Sequence, residues 1–376
     1  MPVTITPVFS REDMEEFLAL PFTIYANDPY WVPPVMPHLR RMLDPKTGPF
    51  FEVGQAQYFL AKNNGKTVGR ISAHLNSAYE KHHDLNTGFF GFFECVNDQE
   101  TADALFQAAG DWVKARGKTR IHGPLSFGIY DEVGLLVEGL NERPVMFHSY
   151  NPAYYEKLVV DGGFQKSFNW YAYAFTTTDK PLEHYQQQLK QILDEQNVVI
   201  QFGNPKEFVT RGVEVREMFN ELWKKNWGHV PLTAAQFDDV FLQLKPILRP
   251  ELVNFIIEND ELLAFNIMAP DINVTLHKTR GNLNLFNMLR LLYDCRIRSL
   301  EGIRGIIMAV KKSHQWRRLH YALILQMFVT IMQKHKHIKY VDCSLIPESL
   351  VKWNKTLQMF GAKRTRTFRL YDRDVS

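Results

Sequence analysis

The segment YFLAKNNGKTVGRISAHL, residues 58–75, places two runs of strand-forming side chains on either side of the turn Asn63-Asn64-Gly65-Lys66. Such runs joined by an Asn-Gly turn predict an antiparallel β-hairpin. A second segment, LVNFIIENDELLAFNIM, residues 252–268, has the same form around Asn259-Asp260. The two turns lie 196 residues apart (260 − 64 = 196). The spacing indicates that the hairpin belongs to a unit that occurs twice.

The elements that follow each hairpin also occur in the same order, which is strand, helix, strand, helix, strand. In the first half the predicted elements are a strand over 88–96, a helix with apolar positions at 105, 108, 109 and 112, a strand over 119–125, a helix opened by Asn151-Pro152 and a strand after Gly163. In the second half they are a strand over 305–311, a helix with apolar positions at 324, 327, 328 and 331, a strand over 338–345, a helix ending at 360 and a terminal strand after Gly361. The two glycines lie 198 residues apart (361 − 163 = 198). Offsets this similar favour an internal duplication.

A length of 376 residues exceeds what one hydrophobic core usually spans, so two domains are expected. The polar segment TTTDKP, residues 176–181, lies between the copies, and we place the boundary there, giving domains 1–180 and 181–376. The second copy also carries an insertion. Residues 269–302 separate its hairpin from the next strand, where the first copy uses only residues 76–87.

Composition limits the classes of function. A net charge of +3 is too small to indicate a nucleic-acid-binding protein, and no apolar run approaches the 18 residues of a membrane span, although peripheral membrane contact stays open. Three cysteines without a CxxC spacing predict reduced, buried thiols in a cytoplasmic protein. The adjacent pair His82-His83 and the lysine-flanked His335 and His337 do not have metal-ligand spacing, so no metal site is expected.

The order of elements resembles the GNAT acyltransferase fold, an α/β fold with a mixed, mainly antiparallel sheet flanked by helices. More specific stretches are LPFTIYANDPYWVPP (20–34), VGRISAHLN (68–76), GFFGFFECVNDQETADALF (88–106), NPAYYEKLVVDGGF (151–164) and NWGHVPLTAAQF (226–237). Together they resemble the YghO-like family of tandem GNAT proteins, which also contains the bacterial ceramide synthases. The resemblance implies an N-acyltransferase that moves an acyl group from acyl-CoA, or from the phosphopantetheine arm of an acyl carrier protein, to a small-molecule or lipid amine. No permanently bound cofactor is expected.

In a GNAT site the CoA pyrophosphate binds at the start of the helix after the fourth strand, where free backbone N–H groups and the helix dipole favour an anion. In the first half this position reads NDQETAD, residues 97–103, and its carboxylates predict a degenerate site. In the second half it reads KKSHQWRRLH, residues 311–320, so we expect the carrier there, bound by Lys311, Lys312, Gln315, Arg317, Arg318 and His320. The GNAT loop has small residues where this chain has Arg318 and His320. A solvated basic turn is the alternative.

Candidate catalytic groups lie on the two equivalent strands. Asp342 and Ser344 share one face of the strand 338–345, Asn354 lies on the next helix where GNAT proteins contact the carrier arm, and Glu94 ends the apolar strand 88–96. Loop residues with polar or aromatic side chains are the candidates for the acceptor amine. They are Tyr130, Glu132, Trp227, His229 and Asp271. A non-catalytic tandem-GNAT scaffold remains the main alternative, and an aminoacyl-tRNA-dependent transferase a weaker one.

Overall fold

The computed structural model describes residues 2–176, 180–203, 210–298 and 300–375. The chain forms two compact units. Unit 1 comprises residues 1–171, 227–230 and 365–376, and unit 2 comprises residues 172–226 and 231–364.

Unit 1 contains the first hairpin and the elements that follow it. Its strands are β1 (Thr4–Pro7), β2 (Gly54–Asn63), β3 (Lys66–Asn76), β4 (Thr87–Cys95), β5 (Arg120–Gly123) and β6 (Leu135–Glu138), with most of β7 (Gln165–Phe175). Its helices are α1 (Arg11–Ile24), α2 (Met36–Leu43), α3 (Ser77–His82), α4 (Gln99–Lys114) and α5 (Tyr155–Asp161). The predicted order of strand, helix, strand, helix and strand is confirmed.

The sheet of unit 1 has the strand order β1-β2-β3-β4-β5, continued by the last strand of the chain, β13 (Lys363–Asp374). Strands β1 to β4 are antiparallel neighbours, β4 and β5 are parallel, and β13 is antiparallel to β5. Helix α4 packs its apolar face, including Leu105, Phe106 and Val113, into a hydrophobic core cluster of this unit. This burial drives the fold of the unit.

Unit 2 contains the second hairpin. Its helices are α6 (Leu182–Gln196), α7 (Gly212–Trp223), α8 (Ala234–Leu244), α9 (Asn273–Lys278), α10 (Leu285–Arg296), α11 (Leu319–Lys334) and α12 (Val351–Met359). Its strands are β8 (Val199–Phe202), β9 (Val253–Glu258), β10 (Glu261–Pro270), β11 (Gly302–Val310) and β12 (Tyr340–Pro347), in the sheet order β12-β11-β10-β9-β8. Strands β11 and β12 are parallel, and the other neighbours are antiparallel. The predicted order is confirmed here too, and the insertion holds α9 and α10.

The two structural units do not coincide with the halves 1–180 and 181–376, because residues 365–376 belong to the first unit. The proposed boundary segment includes residues 177–179, which lie outside the described residues. The two-domain division at residue 180 therefore stays a prediction about the duplication. Among the described helices, none combines the length and hydropathy needed to cross a membrane.

Candidate functional site

The parallel strands β11 and β12 separate part-way along their length. They pair only from Gly302 with Tyr340 to Gly305 with Cys343, after which both continue without further ladder pairs to each other. A bulge in the pairing of β11 with β10 falls at the same level, between Ile267 and Met268. We call the region between the two strands beyond Gly305 and Cys343 the β11–β12 wedge. Its walls are half-exposed at 305–308 and 345–346.

The equivalent strands of unit 1 also separate, but protein fills the space between them. Strands β4 and β5 pair from Thr87 to Phe89, and the Leu125 N–H then donates to the Phe90 carbonyl at 2.8 Å. A Cβ atom at Gly91 would lie only 2.0 Å from the Leu125 carbonyl oxygen, so the chain packs directly on β4. Residues 90–93 are all buried. The half-exposed wedge of unit 2 thus has a buried counterpart in unit 1.

The helices that follow these strands also differ between the two units, because one begins with a side-chain cap and the other does not. In unit 1 the Asp98 carboxylate caps α4 by accepting from the Thr101 N–H at 2.9 Å, as the sequence predicted. In unit 2, residues Lys312–Arg317 form a 3₁₀ turn, and α11 begins after Arg318 without a side-chain cap. An uncapped start leaves N–H groups and the positive end of the helix dipole available to an anion.

The four cations at this start have two different roles. Lys311 forms an ion pair with Glu261, and the buried Arg317 donates to the Glu258 carboxylate at 3.0 and 3.1 Å and also to Gln196. Lys312 and Arg318 are exposed and form no ion pair among the described residues. Two of the predicted phosphate ligands therefore hold the turn in place, while two remain directed to solvent.

Arg318 has a left-handed backbone with φ of 56°. This conformation favours glycine, because an L side chain there clashes with its own backbone. The GNAT pattern that this chain resembles has a small residue at this position, where this chain has the cation Arg318. Beside it, burial and the charge of Arg318 lower the pKa of His320, and Gln315 is exposed.

Asn354 lies on α12, the helix that follows β12 in the chain. Its Nδ2 donates to the carbonyl oxygens of Pro347 at 3.0 Å and Leu350 at 2.9 Å, which fixes the turn between β12 and α12. The side chain is buried, and its Oδ1 has no hydrogen-bond partner among the described residues. A buried acceptor of this kind is stabilised when a bound group supplies a donor.

Asp342 lies just before the wedge and Ser344 is the first residue of β12 within it, and the two side chains are hydrogen-bonded to each other. The Asp342 carboxylate forms a buried ion pair with Arg304 on β11, and the Ser344 hydroxyl donates to it at 2.6 Å. Burial next to Asp342 raises the pKa of the Cys343 thiol to about 12, so the thiol is neutral. This geometry favours a structural role for the pair. A catalytic role stays an untested prediction.

In unit 1, Glu94 lies in a buried polar cluster that we call the Glu94 cluster, formed with Tyr25, Arg70 and Tyr155. The hydroxyls of Tyr25 and Tyr155 donate to Glu94 Oε2 at 2.9 and 2.7 Å, and Arg70 lies 3.7 Å from Oε1. Burial raises the pKa of Glu94 to about 7, although Arg70 and the two hydroxyls oppose the shift. Glu94 can therefore gain or lose a proton at neutral pH.

The loop after β5 brings further predicted residues into unit 1. Burial raises the pKa of Glu132, whose carboxylate accepts from the Ser126 hydroxyl at 3.5 Å, and burial and Glu132 raise the pKa of Asp131 to about 7. Tyr130 forms a hydrogen bond with His229 Nδ1. Trp227 stacks on Phe168 with ring centroids 5.2 Å apart. Four of the five predicted acceptor residues thus lie in this unit.

Asp271 is the exception among the predicted acceptor residues. It lies in unit 2, where its carboxylate accepts from the Tyr340 hydroxyl and from the Asn273 N–H at the start of α9. The predicted grouping of Asp271 with Trp227 and His229 therefore joins residues of different units.

Comparison with known proteins bears on the family of this chain. Protein YghO of Escherichia coli (strain K12) is 28% identical over 372 residues, which cover 97% of this chain and 94% of YghO. The bacterial ceramide synthase of Caulobacter vibrioides (strain NA1000 / CB15N) is 28% identical over 374 residues, covering 99% of this chain and 97% of that protein. Over nearly its whole length the chain is thus similar to the YghO-like family of tandem GNAT proteins, which supports the resemblance seen in the sequence. No protein-family model matches the sequence.

Solved structures agree with the family fold. A tandem GNAT protein from the clavulanic acid biosynthesis pathway matches with a TM-score of 0.57 at 10% identity, over 100% of this chain and 99% of that protein. The fold class of two tandem GNAT domains is thereby confirmed.

Four of the five stretches that carry the YghO-like resemblance each contribute one residue to the Glu94 cluster. Tyr25 comes from stretch 20–34, Arg70 from 68–76, Glu94 from 88–106 and Tyr155 from 151–164. Tyr25, Arg70 and Tyr155 were missed by the sequence analysis. The sequence does carry one signal for this cluster, at Arg70. This charged residue lies within an otherwise apolar strand, and a buried cation needs a partner.

Among the described residues, no group of three or more histidine, cysteine, aspartate or glutamate side chains could hold a metal ion. Burial lowers the pKa of His74 to about 3 and that of His122 to about 4. These side chains are therefore neutral core residues at neutral pH.

Proposed function

We propose that this YghO-like protein is an N-acyltransferase that moves an acyl group from a phosphopantetheine thioester, on CoA or on an acyl carrier protein, to an amine. The observation that carries the proposal is the contrast between the units. Unit 2 has half-exposed wedge walls beside an uncapped helix start, whereas unit 1 has a filled wedge beside a capped one. Within the described parts of the chain, unit 2 alone combines the two features that a thioester carrier needs.

Three residues would bind the carrier. Lys312 and Arg318 place two cations at the start of α11, where they would hold the phosphates together with free backbone N–H groups. The Oδ1 of Asn354 would accept from an amide N–H of the pantetheine arm. Along β11 beyond Gly305, the backbone makes no ladder pairs with β12, so a strand amide there is suited to polarise the thioester carbonyl.

Transfer also requires a base that takes a proton from the attacking amine. Glu94 of unit 1, a catalytic residue predicted from the sequence, has the raised pKa that a base needs, since burial raises it to about 7 and two tyrosine hydroxyls hold the carboxylate. The turnover of Glu94→Gln decides whether it serves in this step. The reaction forms the amide C–N bond and breaks the thioester C–S bond. The proton that the amine nitrogen loses passes to the base and then to the leaving thiolate, which gives a free thiol and regenerates the base. The related bacterial ceramide synthase makes a sphingoid-like lipid amine the first acceptor to test.

A non-catalytic tandem-GNAT scaffold is the second candidate. It is favoured by the engagement of Asp342 and Ser344 with Arg304, which leaves the residues nearest the wedge in a structural arrangement. Turnover separates the two functions. The protein is incubated with acetyl-, octanoyl- and palmitoyl-CoA, or with acylated carrier protein, and with a long-chain amino alcohol.

Released thiol and amide product are measured together, the latter by mass spectrometry. The transferase predicts equal amounts of thiol and amide with at least one donor. Binding of a donor without release of thiol, across all donors and amines, would favour the scaffold.

A further inference from the structure

Helix α10 presents large apolar side chains to solvent. Leu285, Phe286 and Leu289 are 75%, 73% and 58% exposed, and Tyr293 and Ile297 continue the same exposed side at helical spacing. The opposite side of the helix, with Leu291 and Cys295, is buried in unit 2. A surface helix normally places polar residues on its outer side. A contiguous apolar outer face marks an interaction surface.

This helix lies in the insertion that distinguishes the second copy from the first. Between its hairpin and its next strand, the first copy has only the short α3, which contains no buried residue. The GNAT elements of unit 1 form without a counterpart of α10. The exposed apolar face is therefore an addition to the fold rather than a part of its core.

The surroundings of α10 are basic. Residues 277–301 contain the five cations Lys278, Arg280, Arg290, Arg296 and Arg298 against the two acids Asp294 and Glu301 (5 − 2 = +3). The whole chain has 44 cations and 41 acids, also a difference of +3. The net charge of this segment therefore equals the net charge of the whole chain. Arg280, Arg290, Arg296 and Arg298 are exposed.

We infer that α10 is a membrane-docking helix that lies flat on an anionic lipid surface, with Leu285, Phe286 and Leu289 inserted among the acyl chains and the arginines at the headgroups. Apolar insertion combined with basic flanks is the chemistry of interfacial helices. A second copy of the chain fits less well. A symmetric interface would bring two segments of the same positive charge together.

This inference deepens the proposed function, because a lipid amine must be taken from a membrane. The inference rests on the proposed function only through the lipid nature of the acceptor. Lipid binding itself is measured without turnover. The two can therefore fail separately.

The test is flotation of the full chain with vesicles of phosphatidylcholine alone and of phosphatidylcholine mixed with phosphatidylglycerol. We expect binding to the mixed vesicles that weakens at high salt. In the double variant Phe286→Glu with Leu289→Glu, binding should fall by about tenfold or more. The control is Leu242→Glu, because Leu242 is a comparably exposed leucine at 63% and lies on another helix, α8. This variant should bind as the parent does.

Circular dichroism and light scattering accompany the flotation. Unchanged binding of the folded double variant, or equal loss in Leu242→Glu, would overturn the inference. A dimer of the parent chain that becomes a monomer in the double variant would assign the face to a second copy instead.

Discussion

Arg304 and Asp342 form a buried ion pair across the parallel strands β11 and β12, one position before the strands separate. Removing one partner leaves the other charge buried without compensation. We therefore expect Asp342→Asn to lower the free energy of unfolding by about 3–5 kcal/mol. Urea unfolding followed by circular dichroism measures the change.

The double variant Arg304→Met with Asp342→Leu is the control for this pair. It removes both charges together, so most of the lost stability should return. An Asp342→Asn protein that keeps its stability but loses turnover would show instead that Asp342 takes part in the chemistry.

The raised pKa of Glu94 makes stability depend on pH. Its pKa rises from 4.5 to about 7 on folding, so between these values the native state holds a proton that the unfolded state has lost. Stability from this group is complete below the unfolded pKa and is lost as pH rises through the folded pKa. Between about pH 4.5 and about pH 7, the free energy of unfolding should fall less in Glu94→Gln than in the parent. Asp131 retains a similar dependence.

The same variant tests the proposed base. Turnover of the parent should rise as Glu94 loses its proton near pH 7, and Glu94→Gln should lower kcat/KM by about a hundredfold or more while remaining folded. A Glu94→Gln enzyme with the parent pH–rate profile would exclude Glu94 as the base and leave it a structural residue.

Arg317 and Arg318 are adjacent, but the structure gives them different roles. Arg317 is buried and donates to Glu258 and Gln196. Arg317→Met should therefore lower the free energy of unfolding by about 1–3 kcal/mol and leave carrier affinity per folded molecule within about twofold. Calorimetry on the folded protein checks the second part. A large loss of affinity with no loss of stability would reverse the assignment.

The left-handed backbone of Arg318 allows the effect of its charge to be separated from the effect of backbone strain. Arg318→Gly and Arg318→Ala both remove the cation, but only glycine adopts φ of 56° without strain. The glycine variant should be more stable than the alanine variant by about 1 kcal/mol, and both should bind acyl-CoA more weakly than the parent. Tighter binding by Arg318→Gly would mean that the side chain obstructs the carrier.

Local patterns of the sequence predicted the elements well. The turns at Asn64 and Asp260 fixed both hairpins, and the carboxylate of Asp98 predicted the capped start of α4. These features depend on residues close together in the chain, so spacing and residue type are sufficient to find them.

Contacts between distant residues could not be predicted in this way. Glu258 and Glu261 neutralise Arg317 and Lys311 from the second hairpin, more than 45 residues earlier, and only the register of the strands brings them together. The placement of β13 in unit 1 depends on its pairing with β5, which no local pattern specifies. For Asn354, periodicity did not reveal burial of the side chain.

The central claim is that the carrier binds at the start of α11, and charge reversal there tests it most directly. Binding of acyl-CoA is measured by titration calorimetry for Lys312→Glu with Arg318→Glu, and for Lys336→Glu with Lys339→Glu. The control lysines are exposed and lie just past the opposite end of α11, so the net charge changes equally. We predict that the first pair weakens binding by about tenfold or more and that the control pair retains the parent affinity. Equal affinities in the two double variants would contradict the proposed carrier site.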